Sequence, residues 1–246
     1  ARRMCPPVPV RSAAGSRMQP RSEPFFFWYT LLLTLVVISG FTTLAAGRPG
    51  GVLATPLHLH LHGAIFLAWY LLLAVQARLI AGARRELHRR LGYASVLLAL
   101  TIVIVGYLVT RSVLLRPDGV IAGRPALSGA VFPASDIVNF TIVYALGFLN
   151  RRRPLAHKRF MVLTALFMID PAMARLVLGL GLPPPLILLG ELALIAVLVG
   201  YDLLRLGRPH WATIAGLLLY LATLVFKLNV ESLAGWPALV RGVFLL

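Results

Sequence analysis

Residues 92–114 read GYASVLLALTIVIVGYLVTRSVL, and Arg111 is the first charge in the run. A helix rises about 1.5 Å per residue and a hydrocarbon core is about 30 Å thick, so about 20 mostly apolar residues cross it. This stretch is long and apolar enough. Immediately before it stand Arg84, Arg85, Glu86, Leu87, His88, Arg89, Arg90 and Leu91, a basic anchor of the kind held at a cytoplasmic face.

The same reading extends outward to 25–46, 58–80, 130–149, 159–180, 185–204 and 211–229. Breakers separate these segments: Arg48-Pro-Gly-Gly, Pro117-Asp-Gly, Arg153-Pro, Pro183-Pro-Pro and Arg208-Pro. The expected fold class is therefore all-α, a polytopic transmembrane helical bundle of about seven spans filling 25–229. The tail 230–246 is apolar but interrupted by Glu231, Pro237 and Arg241, and is expected to lie in the membrane interface. Residues 1–24 are polar and carry five arginines, and are expected to be a disordered basic cytoplasmic segment. Met18 offers an alternative start, which would leave the residues before it outside the native protein.

Composition agrees with a lipid-solvated chain. Hydrophobic residues make up 59% of its 246 positions, mean hydropathy is +0.85, and only 13% of residues are charged. Soluble domains carry about a quarter charged residues, enough to cover a wet surface. The net charge of +16 comes from 24 Lys and Arg against 8 Asp and Glu. These cations fall between apolar runs, with no nucleic-acid-binding motif, so no nucleic-acid partner is expected. Cys5 is the only cysteine, which excludes an internal disulfide and any site built on several thiolates. There is no GxSxG, HExxH, P-loop or GxGxxG pattern.

With the N-terminus inside, the inner segments hold 17 of the 24 cations, among them Arg78, Arg151, Arg152, Arg153, Lys158, Arg159, Arg205 and Arg208. The outer side and the spans share Arg48, Arg111, Arg116, Arg124, Arg175, Lys227 and Arg241. This asymmetry predicts a cytoplasmic N-terminus and an external C-terminus, with anionic lipid at the basic face. A membrane-protein partner remains open.

Ionisable groups within apolar spans are costly and often mark function. Counting from the inner arginines, Asp170 lies about 16–17 Å deep, Glu191 about 21 Å, and Asp136 and His62 about 22–24 Å. Asn139 and Arg175 fall near the same layer. His58 and His62 are four apart on one helix face, with His60 opposite. Three readings follow for a polar core of His60, His62, Asp136, Asn139, Asp170, Arg175 and Glu191. It is a structural ion-pair network, a proton or solute path, or a divalent-metal site using His58, His62 and Asp136. At the inner face His88 and His157 stand at matched height beside Arg and Lys. They suit axial ligation of haem b, or an interfacial role against lipid phosphates.

Several of these elements recur together: His60-Leu-His62-Gly with Trp69, Leu87-His-Arg-Arg-Leu-Gly, Pro133 with Asp136, Arg153-Pro-Leu-Ala-His-Lys-Arg-Phe-Met, and Pro171-Ala-Met-Ala-Arg175. From His60 to Arg175, about half the chain, the pattern resembles a group of bacterial multi-pass inner-membrane proteins with no assigned activity. The resemblance implies a membrane fold in a bacterial inner membrane and points to His60 and His62 as the matching histidines. Asp170 and Glu191 are less typical of it. Two functional classes stand: an accessory or proton-linked membrane protein, and a haem- or metal-dependent membrane oxidoreductase or hydrolase.

Overall fold

A computed structural model describes residues 24–46, 56–116 and 119–246. The expectations for residues 1–23, including Cys5, and for the linkers at 47–55 and 117–118 lie outside them. The chain is an all-α bundle. Among the described residues, six helices are long and apolar enough to cross a membrane, or seven if one bent pair counts as a span.

The long helices are α1 (Phe25–Ala46), α2 (Leu57–Ala81) and α3 (Arg85–Leu114). A short antiparallel hairpin, β1 (Val120–Ile121) and β2 (Arg124–Pro125), then leads into α4 (Ala126–Gly129) and α5 (Val131–Leu149). Helices α6 (Pro154–Leu166) and α7 (Asp170–Gly179) are followed by α8 (Pro185–Leu206), α9 (Trp211–Asn229) and α10 (Trp236–Phe244). Their ends follow backbone chemistry. Pro154, Pro171 and Pro185 sit in first turns, where an N–H would lack a partner in any case. Gly207 closes α8 at φ +69, the left-handed geometry that glycine adopts without strain, and Pro209 follows.

One end of the bundle gathers the arginine-rich turns. There the Phe25 ring stacks on Tyr201 at 3.8 Å, Lys158 lies 4.6 Å from the Phe26 ring, and Phe160 meets Trp211 edge-on at 5.3 Å. At the opposite, distal end α10 folds back. Trp236, Val240 and Phe244 pack with Ala130, Val131 and Val230, and the Trp236 indole N–H donates to the Leu127 carbonyl at 2.8 Å. The tail after 230 thus has one face in contact with the bundle, while Leu239, Val243 and Leu246 stay exposed.

Residues 159–180 are not one straight helix. α6 and α7 meet at an angle of 45° across Phe167–Ile169. Pro171 supplies the cause. It cannot donate to the carbonyl four residues back, and its ring crowds that position. Neighbouring α2 braces the break: the Tyr70 hydroxyl donates to the Ala165 carbonyl at 2.8 Å and the Trp69 indole donates to Thr164 Oγ1 at 2.9 Å. On the other side α1 packs closely on α7. A Cβ on Gly40 would stand 2.1 Å from the Ala172 carbonyl oxygen, so the two backbones touch only because residue 40 lacks one.

Candidate functional site: a lysine among three carboxylates at a broken helix

The break puts Asp170 at the first position of α7, deep in the bundle. Three other helices converge on it. α5 presents Asp136 and Asn139, three apart and on one face. α8 presents Glu191, and α9 presents Tyr220, Thr223 and Lys227, again on one face at helical spacing. All seven line a cavity of about 170 Å³ whose remaining wall is largely apolar, with Phe132, Phe167 and Leu224 prominent. Arg124, from β2, reaches the same cavity and stands 3.3 Å from Glu231.

Lys227 joins the two aspartates. Its Nζ donates to Asp136 Oδ1 at 3.0 Å and to Asp170 Oδ2 at 2.9 Å, and lies 5.2 Å from the centre of the Phe132 ring. The side chains of Lys227 and Asp136 are each 12% exposed and that of Asp170 is 24% exposed. Glu191 Oε2 accepts from the Tyr220 hydroxyl at 2.6 Å, while its Oε1 is buried and meets no hydrogen-bond partner among the described residues. Asn139 donates to Thr223 Oγ1 at 2.9 Å.

Charge balance sets the chemistry. With every group ionised, three carboxylates stand against the Lys227 ammonium and the Arg124 guanidinium, an excess of −1 on the cavity lining, and Arg124 is shared with Glu231. In a low-dielectric interior like charges repel strongly and each carries a desolvation cost. Such a set favours taking up a proton or a small cation. The cavity gives that species room, and Glu191 Oε1 offers an acceptor that no group among the described residues uses.

The other candidates from the sequence lie elsewhere. His58, His60 and His62 occupy the first turns of α2, and none of them lines the cavity. His62 packs on Phe66 with ring centres 4.2 Å apart, and its Nδ1 is buried without a partner among the described residues. Asp136, the third member of the expected metal set with His58 and His62, is paired with Lys227 of α9. Among the described residues no group of three or more His, Cys, Asp or Glu is placed to hold a metal ion. Arg175 also lies outside the cavity lining. It donates to the Pro171 carbonyl at 2.6 Å and sits 4.8 Å over the Phe41 ring of α1. His88 and His157 do meet, with ring centres 6.2 Å apart and planes at 88°.

Two features escape a reading of the sequence. Lys227 reads there only as an outer or intramembrane cation, yet it supplies the counter-charge to Asp136 and Asp170. Its signal is its position, about 16 residues past Trp211 and so about 24 Å along an otherwise apolar helix. The second is a buried ion pair at the basic end. Arg159 and Asp202 are 1% and 0% exposed, and the guanidinium donates to Asp202 Oδ1 through both Nε and Nη2. Asp202 Oδ2 accepts from the His210 backbone N–H at 2.9 Å and the Thr213 hydroxyl at 2.6 Å, and Arg159 Nη1 donates to the Leu155 carbonyl at 2.7 Å.

The apolar helices make the chain an integral membrane protein. No family model, curated protein or solved structure matches it.

Proposed function

We propose that the chain is a multi-pass protein of a bacterial inner membrane, with its N-terminus and arginine-rich turns on the cytoplasmic side, and that it works by proton-linked transport. The working centre is Lys227 with Asp136, Asp170 and Glu191. The observation that carries the reading is the unequal charge count around a cavity: three carboxylates from three helices line it against Lys227 and an Arg124 that Glu231 shares. A proton arriving on Asp136 or Asp170 weakens that group's hold on Lys227. The ammonium then rests on the other aspartate or turns toward Glu191, and the carboxylates exchange protons through the cavity. The broken α6–α7 pair suits this role, since interrupted helices near the middle of a membrane are where transporters place coupling sites.

The test is reconstitution into liposomes with a pH-sensitive dye inside and an imposed potassium diffusion potential. Wild-type protein should acidify or alkalinise the lumen faster than empty liposomes, and Asp170→Asn should bring the rate down at least tenfold while remaining monodisperse. Wild-type flux equal to that of empty liposomes, with correctly inserted protein, overturns the reading.

A further inference from the structure

At the basic end, His88 of α3 and His157 of α6 lie side by side outside the carboxylate cavity, with their ring planes at 88°. Their ring centres are 6.2 Å apart. Two imidazoles bound on opposite sides of one metal ion, each at a metal–nitrogen distance of about 2.0 Å, have ring centres about 6 Å apart. The spacing therefore fits a shared ion.

The protonation pattern fits too. His157 Nδ1 lies 2.8 Å from the Gly147 carbonyl oxygen. A carbonyl only accepts, so Nδ1 is the N–H donor, and the neutral ring keeps its lone pair on Nε2. A backbone carbonyl holding the second ring nitrogen is how metal-ligating histidines are usually oriented. Among the described residues His88 Nδ1 is buried and meets no hydrogen-bond partner, and the same is true of Gln76 Oε1, whose residue's backbone hydrogen-bonds the His88 ring. Buried acceptors without donors are the signature of a missing proton or cation.

A soft donor stands close by. Met161 is one turn beyond His157 on the same face of α6, and its sulfur packs against Gly147, where an added Cβ would come within 2.8 Å of it. Three of the neighbouring cations that haem propionates could use are engaged elsewhere. Glu86 takes Arg89 at 2.7 Å and Arg90 at 3.0 Å, and Lys158 lies over Phe26. Zinc prefers four ligands in a tetrahedron, whereas a thioether beside imidazoles selects Cu(I).

We infer that His88 and His157, with Met161 as the neighbouring thioether, form a site for one Cu(I) ion between α3 and α6. The full chain, purified in detergent, is titrated with Cu(I) under ascorbate against a chromophoric Cu(I) chelator. One equivalent should be retained, with affinity falling at least tenfold in His88→Ala and in His157→Ala, and less in Met161→Leu. His210→Asn, a change to a histidine outside the site, should leave affinity unchanged. X-ray absorption of the loaded protein should show two imidazole nitrogens. Should one alanine variant fail to fold, the other and the absorption spectrum still decide. Retention unaffected by either alanine substitution, or no retention by wild type, overturns the inference. So does a haem absorption band in the purified protein that disappears in His88→Ala, which would make the pair haem ligands.

Discussion

Two buried charge clusters lie at opposite ends of the same bundle and are built to opposite rules. At the basic end one cation meets one anion. Arg159 and Asp202 are almost wholly excluded from solvent, and Asp202 accepts four hydrogen bonds, two on each oxygen. Nothing is left over. At the distal end Lys227 meets two of three carboxylates, Arg124 at the same cavity turns to Glu231, the side chains are partly exposed, and one carboxylate oxygen has no partner among the described residues. A closed, balanced network resists change, because every alternative arrangement strands a charge. An open, unbalanced one has several arrangements of similar energy, as a proton-exchanging centre requires. The first cluster ties α6, α8 and the start of α9 together, and the second sits where α6 breaks into α7.

The sharpest way to break the contrast is to remove an anion from the closed cluster. Asp202→Ala leaves a guanidinium that is 1% exposed without its partner. The expected cost is about 3–5 kcal/mol, enough to eliminate most monodisperse protein on gel filtration. Replacing both partners, Arg159→Leu with Asp202→Leu, should restore much of that loss, since an apolar pair strands nothing. If Asp202→Ala melts within a degree or two of wild type, the basic-end cluster is not the lock described.

Lys227→Met asks the same question of the open cluster. Here the cavity lets water or a proton reach the abandoned carboxylates. The expected cost is about 1–3 kcal/mol, clearly below that of Asp202→Ala. A thermal melt of the two variants side by side measures the ranking. A larger loss for Lys227→Met would make the distal cluster structural and would remove its claim to mobility.

Much of this architecture can be read from the sequence. Apolar run lengths and basic anchors place the helices, because the bilayer imposes one length on every span. Depth counting puts Asp136, Asp170 and Glu191 near one level, and these three line one cavity. What counting lacks is azimuth. His62 shares their depth but turns toward Phe66. Arg159 looks like an interfacial anchor in sequence, yet it is among the most buried large side chains, because Asp202 lies one helix away. The 45° bend is foreshadowed by Pro171, but its placement at Phe167–Ile169 depends on α1 and α2, which cradle the two halves. Pairings between helices distant in sequence leave no local trace.

Glu191→Gln sharpens the comparison with little effect on stability. The amide keeps an oxygen to accept from Tyr220, and the group at the unused position becomes a neutral N–H₂. Stability should stay within about 0.5–1 kcal/mol of wild type, as for substitutions that strand no buried charge. Proton flux in liposomes should nevertheless fall several-fold, because the group can no longer exchange a proton. Unchanged flux would confine the exchange to Asp136, Asp170 and Lys227.

The smallest expected effect is a pH dependence at the edge of the closed cluster. His210 caps α9: its Nδ1 accepts from the Ala212 backbone N–H at 3.1 Å, and its own backbone N–H serves Asp202. Burial, followed by the nearby Arg159 charge, holds the imidazole below its ordinary titration range, with Asp202 opposing. The folded chain then binds fewer protons here than the unfolded chain does around and below pH 6.5. Stability from this group is thus present above that range and lost as pH falls through it. Chemistry gives the same sign, since an imidazolium has no lone pair to cap with. Asparagine caps helices without titrating in this range, so His210→Asn should flatten the melting temperature between about pH 7.5 and 5.5 and leave it nearly unchanged at the upper end. An equally steep acid decline in the variant would shift the pH response to other groups and leave the closed cluster insensitive to its one titrating neighbour.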